Sequence, residues 1–462
     1  MLIAPAGHGK THAITDCLIH TAGKQLILTH THAGIASIKE KIKKASIPQR
    51  KYHIETITGY AQKYVRAFYS GADIPDQKDT HVYYNFLIYA ATRLLRKPLI
   101  IGSIKASYTG LFVDEYQDCT LDQHNLISCL SSILPTRILG DPLQGIFGFK
   151  DSLMVDLNNS LHTGDYQSNQ QRLNEPWRWK GKNEELGKTL IKIREKIEAK
   201  QQIDLREHSS VIVNVVKASK DLYLPTEPYY KSVSKLLSEK NLLLIHPISS
   251  SANVRLKIIS LFKAPITLVE AIDDQDFYTI ARIFDTLNNE NVVEIVIGIC
   301  LKLFNKAGVK IWFNDKGLIR KSKPEEQIVS SEIKEILDKV KTNSSLSDIA
   351  QFLKHIDSLK TIRCYRREML NAVCASLTMA ESKKITVSES MIESRNHTRR
   401  VGRKVHGRCI GTTLLTKGLE FDTVVILNAD DFKCPKNLYV ALTRASKKLI
   451  IFTTNPILTP TY

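Results

Sequence analysis

Short apolar runs alternate with helical patterns along this chain. Three runs stand out early: "QLILTH" from Gln25, "GLFVDE" from Gly110 and "TRILGD" from Thr136. Each is apolar at nearly every position and ends on polar residues, as a strand buried on both faces does. Helical stretches between them predict parallel strands joined by crossover helices, a doubly wound α/β sheet. Such sheets place ligands beyond the C-terminal ends of their strands.

The pattern then changes twice. From about Thr58 to Tyr108 it is helical and tyrosine-rich ("YAQKYVRAFYSG", "HVYYNFLIYAATRLLRK"), which predicts an inserted helical subdomain. A second α/β signal opens at "NLLLIHPISSS", from Asn241, and resumes at "FDTVVILNADD" and "KKLIIFTTN". Between these, from Asp274 to Thr398, lies a lysine-rich helical stretch, a second insertion. The densest basic run, "NHTRRVGRKVHGR" from Asn396, is expected to be a surface loop or linker. No internal repeat is visible.

Composition narrows the function classes. The chain has 462 residues, room for two to four domains, with 43% apolar and 24% charged residues, as in a soluble globular protein. A formal net charge of +18 favours a polyanionic partner, most simply nucleic acid. The eight cysteines form no C-x-x-C pair, so a zinc or redox framework is not indicated and buried, reduced thiols are expected. The N-terminus has no signal-peptide pattern. The most apolar stretch, "VVEIVIGICLKLF", contains Glu294 and Lys302 and is too short to span a bilayer. A cytoplasmic location without membrane contact is the expectation.

The candidate chemistry begins at "APAGHGKT", Ala4 to Thr11. Gly7 and Gly9 let backbone N–H groups turn around phosphate oxygens, Lys10 can reach the β/γ-phosphates, and Thr11 can offer its hydroxyl to Mg²⁺. A helix must follow, its positive end facing the anion, and "THAITDCLIH" suits that. Ala4 stands where the general P-loop has its first glycine. In "LFVDEYQD", an apolar strand ends on Asp114 and Glu115: one carboxylate can hold Mg²⁺, and the next, expected on the opposite side of the strand end, can orient the attacking water. "LGDPLQGIFGFK" adds Asp141 and Gln144, the latter able to sense a γ-phosphate. Phe147 and Phe149 either pack in a core or form a stacking platform for bases.

These segments, with "LTHTHAGIASIKEKI", "ETITGYAQKYVR", "LNEPWRW", "TKGLEFD" and "LYVALTRA", resemble the UvrD/Rep group of superfamily 1 helicases, in the family's order from Ala4 to Ala445. The resemblance implies two RecA-like parallel-sheet domains, each with a small helical insertion, and ATP with Mg²⁺ between them. The implied divisions are 1–57 with 109–190 (domain 1A), 58–108 (insertion 1B), 191–273 with 399–462 (domain 2A) and 274–398 (insertion 2B). It implies that the loop residues Ala4, Pro5, Ala6, Gly7, His8, Gly9, Lys10 and Thr11, with His12, Trp177, Gly418 and Glu420, bind nucleotide. Trp177 would stack on the base and Glu420 would contact the ribose. Thr11 and Asp114 would hold the metal, Glu115 would be the catalytic base, and Gln144 would couple the γ-phosphate to the nucleic-acid site. Arg178 and Arg444 would be arginine fingers. His30, Thr31, Thr56, Phe147, Phe149 and Lys150 would contact the strand, along which the family moves 3′ to 5′.

Several positions depart from the family pattern. The segment that precedes the P-loop in relatives, with its adenine-reading glutamine, is absent, and His12 replaces a frequent arginine; looser nucleotide selectivity is the expectation. His30 stands where an aromatic is expected, Lys150 where arginine is usual, and Leu414 and Leu415 where the family has "H-S". The arginines Arg399, Arg400, Arg403 and Arg408 can grip phosphates or form a solvated loop. The short insertions and "DEYQDCTLDQHNL" are similar to helicase subunits of anti-phage systems such as Gabija, which pair with an OLD-type nuclease. Two functions therefore follow: a 3′–5′ translocase on single-stranded or tailed duplex DNA, or an ATP- and DNA-sensing subunit that licenses a nuclease without processive unwinding.

Overall fold

The computed structural model describes the chain except residues 76–79, 148–152, 220, 222–223, 226–227, 248–251, 263–265, 270–274, 315–316, 344, 402–404 and 406. The side chains of residues 32–33, 80–81, 165, 252, 275, 343 and 395–401 are also outside the description. Strands β1 (Leu2–Ile3), β2 (Gln25–Thr29), β3 (Tyr52–Thr56), β4 (Gly110–Val113), β5 (Thr136–Gly140) and β6 (Gln171–Arg172) form a parallel sheet in the order β3-β2-β4-β5-β1-β6. Downstream come β7 (Ile203–Asp204), β8 (Val211–Val215), β9 (Leu242–Ile245), β10 (Thr267–Leu268), β11 (Phe313–Asn314), β12 (Gly317–Leu318), β13 (Arg408–Gly411), β14 (Phe421–Ile426), β15 (Ala445–Thr453) and β16 (Ile457–Leu458). A second parallel sheet has the order β10-β13-β9-β14-β15-β8. The architecture is α/β with two six-stranded parallel sheets, hereafter the two lobes.

The three apolar runs are β2, β4 and β5, and the first two are buried along their whole length. Period-2 alternation splits their side chains between two cores. Leu26, Leu28, Leu111 and Val113 face one; Ile27 and Phe112 face the other, with Ile14 and Leu18 of helix Lys10–His20 and Ile38 and Ile42 of helix His32–Lys44. Helices Ile57–Phe68, Thr80–Leu94 and Pro98–Ser107 occupy the first insertion, and their buried residues, among them Tyr60, Leu87 and Ile104, share the first of these cores. This insertion covers the sheet instead of building a core of its own. The second insertion has an independent core, from Phe277 to Met391.

Helix Val387–Val401 packs against helix His32–Lys44, so the second insertion touches the first lobe. The start of the basic run is therefore helical, which corrects the expected loop: Asn396 to Val401 continue that helix. Arg403 and the side chains of Arg399 and Arg400 lie outside the described residues, and Arg408 donates to the Leu237 carbonyl. All eight cysteines are free; Cys119, Cys300, Cys374 and Cys409 are buried, whereas Cys434 is exposed. Among the described residues no helix is long and apolar enough to cross a membrane.

Candidate nucleotide site between the lobes

The loop after β1 turns on two glycines in the left-handed region, Gly7 at φ 77° and Gly9 at φ 87°, a conformation costly for residues with a Cβ. Space requires glycine too. A Cβ on Gly7 would lie 2.7 Å from Trp179 Cζ3 and 2.8 Å from Arg178 Cβ, and one on Gly9 would lie 3.1 Å from Trp177 Cδ1. Helix Lys10–His20 starts at Gly9, so its unpaired N–H groups open toward the loop. His8 is buried and hydrogen-bonds the Ala6 carbonyl at 2.9 Å; burial lowers its pKa and keeps it neutral. His12 is exposed, paired with Asp16 at 3.5 Å.

Lys10 sits between both carboxylates, 3.1 Å from Asp114 Oδ1 and 2.5 Å from Glu115 Oε1. The carboxylates do not point to opposite sides of the strand end. Glu115 adopts φ 57°, a left-handed conformation costing about 1 kcal/mol or more, and this brings it to the same ammonium as Asp114. Burial opposes charge on all three groups. It raises Asp114, but for Glu115 the attraction of Lys10 and Lys417 outweighs it and holds the carboxyl at about 2. Lys10 is itself held above its ordinary range, because the two carboxylates more than offset its burial.

A hydrogen-bonded chain runs back from Glu115. Its Oε2 accepts from Gln117 Nε2 at 2.5 Å, and Gln117 Oε1 accepts from the backbone N–H of Asp141 at 3.0 Å. Asp141 Oδ2 in turn accepts from Gln144 Nε2 at 2.8 Å. Gln144 is thus buried and joined to Glu115 through three successive hydrogen bonds.

The second lobe contributes residues just before its strands. Arg444 precedes β15 and Glu420 precedes β14, so the site lies between the C-terminal edge of one sheet and the N-terminal edge of the other. Arg178 donates its backbone N–H to the Gly7 carbonyl at 2.9 Å, while its guanidinium bonds Glu420 at 3.1 Å and the Thr443 carbonyl. Lys182 holds the other Glu420 oxygen at 2.8 Å. Arg444 is fully buried, and its hydrogen bonds go to the Val440 carbonyl (2.9 Å), the Leu419 carbonyl (3.0 Å) and Thr443 Oγ1 (3.2 Å), not to a carboxylate. Burial, reinforced by the nearby Arg178 charge, lowers its pKa to about 9. Such a guanidinium is poised for an anion. Gly418 sits in the left-handed region at φ 82° in the turn leading to Glu420.

These residues fit ATP and magnesium. Thr11 and Asp114 are oxygen donors, the type magnesium prefers, and Asp114 Oδ1 is buried without a hydrogen-bond partner, facing Lys10. Trp177 is half-exposed over Gly9, with Lys180 Nζ 4.3 Å from its ring, a surface on which a base can stack.

Four residues escaped the sequence reading. Trp179 is buried against the P-loop and donates its indole N–H to the Ala445 carbonyl of β15 at 2.8 Å, tying loop to second lobe. Lys417 crosses the cleft to Asp118 at 2.6 Å, and its Nζ lies 4.5 Å from the Phe147 ring. Arg194, from helix Glu184–Glu198, binds Asp141 and Tyr439. Lys41 lies half-buried within electrostatic reach of Asp114, Arg178 and Glu420. Lys417 was legible as a neighbour of Gly418, and Arg194 as a charge among the apolar positions Leu190, Ile193 and Ile197; Lys41 carried no signal.

The expected strand-contacting residues are placed less uniformly. His30 is turned against Cys119 Sγ at 3.3 Å, and burial lowers its pKa to about 4, so it is neutral. Thr31 and Thr56 cap helices His32–Lys44 and Ile57–Phe68, accepting from Gly34 N at 3.0 Å and Gly59 N at 2.9 Å. Phe147 is half-buried under Lys417, which engages its ring. Phe149 and Lys150 lie outside the described residues.

Comparison with known proteins gives one match on each side of this cleft. Residues 68–163, spanning β4 and β5, match the UvrD/REP helicase N-terminal domain. Residues 331–453, which include β13, β14 and β15, match the viral superfamily 1 RNA helicase core domain. The Gabija protein GajB of Bacillus cereus (strain VD045) is 22% identical over 400 residues, covering 80% of this chain and 69% of that protein. The arterivirus nonstructural protein 10 (helicase) in complex with DNA is 10% identical, with 98% of this chain and 60% of that chain covered at a TM-score of 0.36. A second structure of the same arterivirus helicase gives 58% coverage of its chain and a TM-score of 0.30. This chain spans about 60% of the first structure's length, and superpositions so loose carry no weight for substrate or mechanism. Superfamily 1 helicase models thus match a segment in each lobe, and the chain is similar to the Gabija protein GajB.

Proposed function

We propose that this protein is a nucleic-acid-dependent ATPase that translocates 3′ to 5′ on single-stranded DNA and acts as a DNA helicase. One observation carries the reading: Lys10, at the end of the P-loop, pairs with the buried carboxylates Asp114 and Glu115, while Arg444 of the other lobe lies within electrostatic reach of Glu115 and Arg178 joins the loop to Glu420. ATP would lie along the loop with its base on Trp177 and its ribose near Glu420. Thr11 and Asp114 would hold magnesium, which neutralises phosphate charge. Glu115, ionised at neutral pH, would accept the proton of the attacking water. Arg178 and Arg444 would meet charge developing on the transferred phosphoryl group, and Gln144 would sense its presence.

The strand would cross the adjacent starts of helices His32–Lys44 and Ile57–Phe68, which follow the paired strands β2 and β3. Their positive ends suit phosphates, and Thr31 and Thr56 keep their hydroxyl protons for phosphate oxygens. Phe147 would supply stacking, with Phe149 and Lys150 beyond it.

A second reading, a sensor that licenses an OLD-type nuclease without processive unwinding, is favoured by two buried ion pairs that tie the lobes together, Lys417–Asp118 and Arg194–Asp141. ATPase turnover with and without single-stranded DNA, run beside strand displacement on 3′- and 5′-tailed duplexes, separates the two. Displacement only from the 3′ tail selects the helicase; stimulation without displacement selects the sensor. No ATP hydrolysis under any condition contradicts both.

A further inference from the structure

Arg194 lies in the helix Glu184–Glu198, whose apolar face joins the second lobe's core. Its guanidinium is 1% exposed and fully engaged. Nη2 meets Asp141 Oδ1 at 2.8 Å and Nη1 meets Oδ2 at 2.9 Å, a two-pronged grip. Nη1 also donates to the Tyr439 hydroxyl at 2.9 Å, and Nε to Glu198 at 2.8 Å. Asp141 and Tyr439 both lead toward the nucleotide site. Asp141 holds Gln144 through its side chain and, through its backbone N–H, the Gln117 amide that orients Glu115. The Tyr439 oxygen accepts the backbone N–H of Ala6, inside the P-loop, at 3.3 Å.

We propose that Arg194 is a positioning residue for nucleotide hydrolysis: through Asp141 it fixes Gln144 and Glu115, and through Tyr439 it fixes the P-loop from behind. It touches no phosphate. A buried aspartate with one oxygen shared between an arginine and a glutamine has a single orientation, and that orientation sets where the glutamine amide points. Lysine keeps the charge but cannot grip both oxygens and the tyrosine at once. The inference rests on the ATPase reading given above.

The test uses the full chain with ATP and a single-stranded DNA oligonucleotide, comparing Arg194→Lys, Tyr439→Phe, Gln144→Ala and the Arg194→Lys/Gln144→Ala double variant. Arg194→Lys is expected to lower kcat by roughly 10- to 100-fold while KM for ATP moves by less than about threefold. Tyr439→Phe, which cuts the ties of the hydroxyl to Ala6 and to Arg194 Nη1 but leaves the two-pronged grip on Asp141, is expected to raise KM by roughly three- to tenfold with a smaller loss in kcat. Adding Arg194→Lys to Gln144→Ala should cost less than it does in the wild type, because both act on one group. A purely structural arginine would give additive losses and lower Tm without splitting kcat from KM, and that result overturns the proposal. An Arg194→Lys turnover equal to wild type also overturns it. If Arg194→Lys fails to fold, Tyr439→Phe decides alone, an unchanged KM counting against the inference. A wild-type chain without ATP hydrolysis would instead bring down the ATPase reading itself.

Discussion

Lys417 and Arg194 both reach from the second lobe to a buried aspartate of the first, but the two bridges are built differently. Arg194 grips Asp141 with two nitrogens, and Tyr439 and Glu198 complete its hydrogen bonding; these partners outweigh the cost of burial and keep its pKa above the ordinary value. Lys417 offers a point charge to both oxygens of Asp118. Burial there is only partly compensated: it lowers Lys417, and it raises Asp118 to about 7, a rise that neighbouring Glu115 reinforces. The arginine bridge is therefore a fixed pivot and the lysine bridge a contact that can part at modest cost. Their surroundings agree. Arg194 backs the P-loop, whereas Lys417 lies over Phe147, on the side assigned to the nucleic acid. A cleft that hinges at the first and opens at the second would link strand binding to the ATP residues.

Breaking each bridge separately should expose the asymmetry. Arg194→Met strands a buried carboxylate at Asp141 and is expected to cost about 3–5 kcal/mol of unfolding free energy in denaturant titrations. Lys417→Met is expected to cost about 2 kcal/mol near neutral pH, because Asp118 can take up a proton instead of staying charged. Equal losses, or a larger loss at Lys417, would remove the distinction.

The pH dependence sharpens it further. The folded pKa of Asp118, about 7, lies above its ordinary 3.8, so the folded state favours the protonated form. Stability from this group is fully present below the ordinary value and declines as pH rises toward 7. Above that, the ionised carboxylate depends on Lys417. The penalty of Lys417→Met should accordingly be small at pH 6 and larger at pH 8, while that of Arg194→Met stays level across the same window. A Lys417→Met penalty that does not change with pH would show that Asp118 does not titrate there. The smallest effect belongs to Trp179→Phe, which loses the bond to the Ala445 carbonyl and is expected to cost about 1–2 kcal/mol; thermal unfolding that leaves Tm unchanged would show the tie to be dispensable.

Much of this molecule was legible in its sequence. The apolar runs at Gln25, Gly110 and Thr136 became β2, β4 and β5, because a strand buried on both faces cannot look otherwise. The P-loop was readable from Gly7 and Gly9, whose positive φ values few other residues tolerate. What could not be read was chiefly what crosses between lobes. Arg178 meets Glu420, and Lys417 meets Asp118, across hundreds of residues of chain, and no local pattern encodes such a meeting. Arg194 left only a charge on an apolar stripe, which says that a partner exists without naming it. The first insertion conceals its partner surface for a related reason. An amphipathic helix announces a buried face but not the surface that buries it, and here that surface is the first sheet.

A triphosphate held between the lobes would meet Arg444 and Arg178 at its terminal group. The most direct measurement is ATP turnover of Arg444→Lys in the presence of single-stranded DNA, beside the affinity of the same variant for a non-hydrolysable ATP analogue. Turnover is expected to fall roughly 10²- to 10³-fold with affinity changed by less than about tenfold, since the guanidinium acts on charge that appears only during transfer. Turnover within about twofold of wild type, with the protein folded, would contradict the account.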